Sequence, residues 1–228
     1  MPSLEIYIPY KIPVMTLGGT VLFPRTFMPI YIFERRYRRM LADALSSHRV
    51  FIIANRADGK TKYIEHDSAP CSIATIGIIR MSTLNDDGTS NVILQGLNRI
   101  RIKDITQEKP YRMATISEIP NDLDQPSKDQ GMRQKKLLDI IKTRQAIGLP
   151  SPDGILDLID SLDNLNSIAD LAAHSLSKGA ALKQRVLETF DTNKRMDLLI
   201  KSLSQDIEHK KLDLAIEALV GQDKEPLN

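Results

Sequence analysis

Near residue 120 the sequence changes texture, and that break settles most of what the chain can become. Before it, short apolar runs alternate with turn residues. "VFIIAN" (50–55), "SIATIGIIRM" (72–81), "NVILQGLNRIRIKDI" (91–105) and "YRMATISEI" (111–119) are rich in β-branched residues and predict strands. "LEIYI" alternates as a half-buried strand should, with Leu4, Ile6 and Ile8 on one side. Asp86-Asp87-Gly88 has the composition of a hairpin turn, where glycine supplies a positive φ cheaply. One clear helix interrupts the strands, from Phe33 to Ser46.

After the break the pattern is helical. "IPNDLDQPSKDQG" is a polar, proline-bearing linker. "MRQKKLLDIIKTRQAIG" runs to Gly148, with Pro150 blocking continuation. Ser151-Pro152 offers an N-cap followed by proline at the first helical position. "NSIADLAAHSLS" and "KGAALKQRVLETF" follow as helices, and then a long final segment. In that segment Met196, Leu199, Ile200, Leu203 and Ile207 form an apolar stripe, broken by Glu208-His209-Lys210-Lys211 and resumed at Leu212, Ala215, Ile216 and Leu219. The pattern predicts a helix packed along its first half and free along its second. Strands followed by helices, rather than alternating with them, define an α+β fold and argue against a parallel α/β one. The expected divisions are a β-rich part over 1–120, a linker over 121–131 and a helical part over 132–228.

Composition excludes several function classes. The 31 basic residues against 29 acidic ones leave a formal charge of +2, whereas a sequence-independent nucleic-acid binder is usually far more one-sided. No apolar run is long enough to span a bilayer, which excludes a membrane partner of that kind. The start "MPSLEIYIPYKIPV" does not have the pattern of a secretory leader. Cys71 stands alone and cannot close an internal disulfide, so a reducing compartment, the cytoplasm, is the expected location.

"IYIFERRYRRML" concentrates four arginines in a short space and raises the question of a phosphate grip. On a helix, Phe33, Tyr37, Met40, Leu41, Ala44 and Leu45 share one face. Arg35, Arg36, Arg38 and Arg39 spread over the remaining arc, with Glu34 and Asp43 among them. A groove reader needs its basic residues on one strip, so the solvated-face reading is preferred.

The same stretch carries a family resemblance. "IPVMTLGGTVLFPRTFMPIYIFERRYRRMLADAL" resembles the opening of the Lon protease amino-terminal domain, in which a strand leads into an "LFP" turn and a "PL-x-IFE-x-RY" segment. "IATIGIIRMSTLNDDGTSNVILQGLNRIRI", "KPYRMATISEI" and "IADLAAHSLSKGAALKQRVLETFDTNKRMDLLIKSL" continue the likeness in order. Three positions depart from it. Arg25 stands where the family usually has glycine after "LFP", Arg35 replaces a frequent proline, and Ala74 replaces a common glycine. The resemblance implies a PUA-like β-pseudobarrel with a helical bundle behind it. It further implies a protein-substrate-recognition role upstream of an ATPase and a peptidase, and a stand-alone form lacking both.

No motif for catalysis is present. "TLGGTVLFPRT" and "SLSKGAAL" lack the spacing of a phosphate-binding loop. His66, Asp67 and Cys71 in "IEHDSAPC" could be imagined as base, orienter and nucleophile, but a lone cysteine usually packs as a small hydrophobe. The four histidines, His48, His66, His174 and His209, form no metal-ligand spacing, and neither a metal nor a cofactor is expected. The expected function is a non-catalytic module that binds unfolded or flexible polypeptide, as an adaptor in protein quality control working with a separate protease or chaperone. Arg25, Phe27, Met28, Tyr31, Arg35 and Arg36 are its candidate contacts. Burial preference favours Phe27 and Met28 as core residues of a strand, the rival reading for that pair. An RNA-binding PUA-like protein is the alternative, weakened by the near-neutral charge and the scarcity of stacking aromatics. A third reading has the broken stripe of the last helix dock a larger machine or a second copy.

Overall fold

The computed structural model describes residues 7–57, 69–107, 109–119 and 130–222. They fall into two units, one comprising residues 1–123 and 178–190, the other residues 124–177 and 191–228. The secondary structure is α+β.

The first unit holds β1 (Lys11–Leu17), β2 (Phe27–Ile32), α1 (Arg35–Leu45), β3 (Val50–Asn55), β4 (Ile73–Leu84), β5 (Ser90–Thr106), β6 (Arg112–Glu118) and α5 (Ala180–Glu188). The strands lie in the order β2-β5-β4-β3-β1-β6, and a further β5–β6 pairing closes β5, β4, β3, β1 and β6 into a ring. β1 and β3 are parallel; the other pairings are antiparallel. Closure depends on the length of β5. Its first residues pair with β2, Phe27 opposite Gln95 and Ile32 opposite Ser90. Its last pair with β6, Ile100 opposite Glu118 and Thr106 opposite Met113. Register shifts at Thr75/Gly77, Ile79/Met81 and Ile102/Asp104 supply the bending that a small ring requires.

Two apolar clusters fill this unit, one on each face of the strands. Phe51 and Ile53 of β3 join Met15, Leu22, Leu94 and the buried face of α1, namely Tyr37, Met40, Leu41 and Ala44. Val50, Ile52 and Ala54 point the other way, towards Ile12, Val14, Ile76 and Ile100. A strand buried on both faces reads as a continuous apolar run, which is why "VFIIAN" shows no alternation.

Helix α5 belongs with the strands, although it lies in the stretch that sequence pattern assigns to the helical part. The Gln184 side-chain amide donates to the Ile73 carbonyl at 3.0 Å, and Arg99 Nε donates to the Leu187 carbonyl at 3.2 Å. Both side chains are buried. Helical periodicity announces an apolar face but not the surface that will cover it.

The second unit contains α2 (Gln130–Ala146), α3 (Ile155–Asp160), α4 (Leu165–Leu176) and α6 (Thr192–Gln222). Helix α2 ends as expected at Gly148, whose φ of +75° lets the Leu149 amide return to the Arg144 carbonyl at 2.8 Å. Ser151 is not an N-cap. Helix α3 starts later, behind Gly154 at φ 71°, and the Ser151 hydroxyl is buried without a partner among the described residues. Asn164 caps α4, accepting from the Ser167 amide at 3.1 Å. Two arginines are almost fully enclosed. Arg144 meets Asp206 at 2.9 Å, and Arg195 bonds Asn166 and Thr192 with Asp170 at 3.7 Å. Each buried guanidinium thus has a carboxylate beside it, as burial of a charge demands. Along α6, Met196, Leu199, Leu203 and Ile207 are buried, whereas Leu212, Leu214, Ile216 and Leu219 are exposed. Packing therefore stops at the charged break in the stripe.

Candidate functional site

The site is built from a turn, an edge strand and the start of α1. The Thr26 amide donates to the Phe23 carbonyl at 3.3 Å, closing a turn with Pro24 and Arg25 at its centre. Arg25 has φ 63°, so proline followed by a positive φ gives the type II pattern, with arginine where glycine would be unstrained. The turn lies directly on β5. The Arg25 amide donates to the Gly96 carbonyl at 2.8 Å, and the Gly96 amide donates to the Thr26 carbonyl at 2.9 Å. A Cβ on Gly96 would sit 2.0 Å from the Phe23 carbonyl oxygen, so this approach needs a glycine.

From that anchor the chain enters β2, which among the described strands has β5 on one side and no strand on the other. Alternation then sorts its residues. Met28 and Ile32 are buried, while Phe27 and Tyr31 are 54% and 52% exposed, with Pro29 exposed between them. Residues directly opposite share a face. Pro29 is paired with Ile93, and Ile93 with Met81 of β4, which is itself exposed. Tyr31 is paired with Asn91, and Asn91 with Thr83. The outer face of these three strands is thus an apolar strip bordered by polar side chains. Phe33, placed by helical spacing on the buried face of α1, lies ahead of that helix and is half exposed. Its ring stacks on Tyr31 with centroids 5.9 Å apart.

The arginines of α1 are mostly held within the molecule. Arg36 bonds Glu34 at 2.8 Å and lies over the Tyr37 ring at 4.5 Å. Arg39 pairs with Asp43 at 3.1 Å. Arg38 covers the β4–β5 hairpin, its guanidinium packed against Gly88 and near Asp87. Hydrogen bonds from Thr89 hold the Asp87 carboxyl below the usual carboxylate range, with Arg38 adding to the effect. Asp43 gathers Tyr111 at 2.6 Å and Lys109 at 3.2 Å as well as Arg39, and the Tyr111 hydroxyl is the main reason its carboxyl is also depressed. Tyr37 anchors the helix to β1. Its hydroxyl donates to the Thr16 carbonyl and accepts from the Thr16 amide, each at 3.2 Å. Arg35 remains exposed at the first helical position. With Glu34, Arg36, Thr106, Gln107 and Arg112 it lines a cleft of about 780 Å³.

Of the sequence candidates, the structure therefore brings Phe27 and Tyr31 onto one open face and Arg35 and Arg36 into one cleft beside it. Arg25 stands exposed at the turn that leads in, and Met28 lies in the core. Phe33, Ile93 and Met81 were missed. Pro29 was their signal, since proline inside an apolar strand marks an edge. His66 and Asp67 lie outside the described residues. Burial, with Glu188 close by, pushes the Cys71 thiol up, which keeps it protonated and a poor nucleophile. Among the described residues no group of His, Cys, Asp or Glu is placed to hold a metal ion, and no helix is long and apolar enough to cross a membrane.

The first unit thus defines a class: a pseudobarrel of five strands carrying a sixth at its side, with exposed aromatics on that sixth strand. Solved structures share the fold. The N-terminal domain of the Mycobacterium avium complex Lon protease superimposes with a TM-score of 0.66 at 22% identity, covering 85% of this chain and 98% of that one. A Lon N-terminal domain protein from Xanthomonas campestris gives 0.62 at 19% identity, covering 84% and 97%. The chain belongs to the family of the ATP-dependent protease La (LON) substrate-binding domain, whose model matches residues 11–205. The Lon protease of Desulfosudis oleivorans is 25% identical over 95% of this chain, and that of Amoebophilus asiaticus 30% identical over 91%. The chain spans about a quarter of the length of these relatives, 26% and 25%.

Proposed function

We propose that this chain is a non-catalytic recognition module that binds unfolded or flexible polypeptide on the outer face of β2, β5 and β4. As an adaptor in protein quality control, it presents what it binds to a separate protease or chaperone. The observation that carries this reading is the row of exposed rings, Phe27 and Tyr31 on an edge strand and Phe33 just past its end. A folded domain gains nothing in stability by leaving three aromatic side chains in water, and contiguous apolar surface of this kind marks interaction sites. Aromatic rings supply large contact area, and a few such residues usually dominate an interface. Met81 adds an adaptable side chain suited to varied partners. Membership of a substrate-binding domain family supports the same direction.

Pro29 bears on how a ligand would be held. A proline in an edge strand discourages continuous strand addition, so side-chain contacts across the face carry the binding rather than a new row of backbone hydrogen bonds. The test is fluorescence anisotropy with a reduced, carboxymethylated, permanently unfolded protein as ligand. The expected result is saturable binding by the wild type, weakened at least several-fold in Phe27→Ala/Tyr31→Ala at unchanged thermal stability. No binding to the wild type, or equal binding to the variant, would sink the proposal.

A further inference from the structure

Helix α6 turns its apolar face as it leaves the second unit's core. At about 100° per residue, Met196, Leu199, Ile200, Leu203 and Ile207 fall on one side, and all five are buried. Leu212, Ala215, Ile216 and Leu219 are centred about 150° away, almost on the opposite side. Leu214, seven residues past Ile207, stays on the first face. It is 40% exposed, against 59% for Leu212, 50% for Ile216 and 67% for Leu219. The side of the helix towards the core is therefore the first face throughout, and the second stripe looks away from it. A contiguous apolar stripe held away from its own core marks a surface that another element covers.

We propose that this stripe joins two copies of the chain, antiparallel, through residues 209–222 of α6. The inference is independent of the polypeptide-binding reading. The spacing of the stripe reads the same in both directions, because Leu212 and Leu219 are equally far from a centre between Ala215 and Ile216. A two-fold axis at that centre sets Leu212 of each copy against Leu219 of the other. The two Ala215 side chains then meet on one flank and the two Ile216 side chains on the other, and the small alanines let the helices approach closely. About the same centre, Gln222 of the second copy comes level with His209, two residues past the buried Ile207. The overlap thus uses the free part of the helix and no more, a contact of about 20 Å. A parallel pair would instead bring each residue to its own copy. Glu208, one turn before Leu212 on the same face, would meet Glu208 at the cost of like-charge repulsion. Its exposed ion pair with Lys211, at 3.4 Å, offsets that only in part. Four turns make a short contact at the weak end of specific interfaces, so a dissociation constant of about 10–100 μM is expected.

Sedimentation velocity of the whole chain from about 5 to about 300 μM reads the association. The wild type is expected to pass from monomer to dimer across that range. Leu212→Glu/Ile216→Glu should stay monomeric throughout with unchanged thermal unfolding, since both side chains are exposed. Phe27→Ala/Tyr31→Ala should associate as the wild type does. For the direction of pairing, Cys71→Ser removes the native thiol, and Leu212→Cys and Leu219→Cys are made separately in that background. Mixed and oxidised, these two proteins should form the disulfide between positions 212 and 219 in several-fold excess over either like-with-like product. A wild type that remains monomeric at the highest concentration overturns the proposal, as does a dimer that persists in Leu212→Glu/Ile216→Glu. Association lost in Phe27→Ala/Tyr31→Ala would put the interface on β2 and overturn it too. Predominance of the like-with-like disulfides would mean a parallel pair, and the antiparallel assembly proposed here would be wrong.

Discussion

Strands β3 and β2 are each six residues long and similarly apolar in composition, "VFIIAN" against "FMPIYI". Their fates differ completely. All six residues of β3 are buried, because it lies between β1 and β4 with an apolar cluster on each face. β2 buries only Met28 and Ile32, with Ile30 partly covered, and turns its other residues outward. Apolar content thus sets how much surface a strand would like to hide, while position in the sheet order sets how much it can. The surplus on β2 is where recognition is proposed.

The sharpest way to break this comparison is to truncate one ring in each strand. Phe51→Ala in β3 removes a fully buried side chain and should cost about 3–5 kcal/mol in denaturant unfolding. A loss under about 1 kcal/mol would mean that β3 is not the core strand described. Gly96→Ala comes next. Its Cβ would collide with the Phe23 carbonyl and push the turn off β5, for an expected loss of about 1–3 kcal/mol and weaker peptide binding through a displaced β2. Unchanged stability and binding together would show that the turn does not position the edge strand.

A smaller effect is expected at Asp43, whose depressed pKa sets its sign. The group favours the folded state fully above its unfolded pKa of about 4, and the contribution is lost as pH falls through the lower folded value. Asp43→Asn should therefore be less stable than wild type at neutral pH, with the gap closing in acid. A gap that stays constant down through the carboxylate range would refute the role given to Tyr111 and Lys109. The least effect on stability belongs to Phe27→Ala, within about 0.5 kcal/mol, since the ring it removes is already half in water. Loss of polypeptide binding at intact stability is the contrast that separates β2 from β3.

Much of this arrangement is legible in the sequence, and the exceptions have physical causes. Strands β3 to β6 follow from β-branched runs, and the α+β class follows from their separation from most of the helices. β1 and β2 are harder to see because Pro13 and Pro29 interrupt them. Proline lowers strand propensity without forbidding an edge, and Pro29 lies on an edge strand while Pro13 precedes the β1–β3 pairing, which begins at Val14. The placement of α5 could not be read, since its contacts, Gln184 to Ile73 and Arg99 to Leu187, are long-range and polar. At the candidate site, the arginines of α1 were correctly set on the wet side of the helix. Their partners were not visible, because Arg38 meets a hairpin some fifty residues away in Gly88.

The division of labour along β5 has a mechanical consequence. Residues 90–95 hold β2, whereas residues 100–106 hold β6 and close the ring. Opening β2 would break the pairings of residues 90–95 and uncover Met28 and Ile32, but would leave the hydrogen bonds that close the ring in place. In amide exchange this would register as β2 opening at a lower free energy than β3, a built-in weak seam on the side where cargo is proposed to sit.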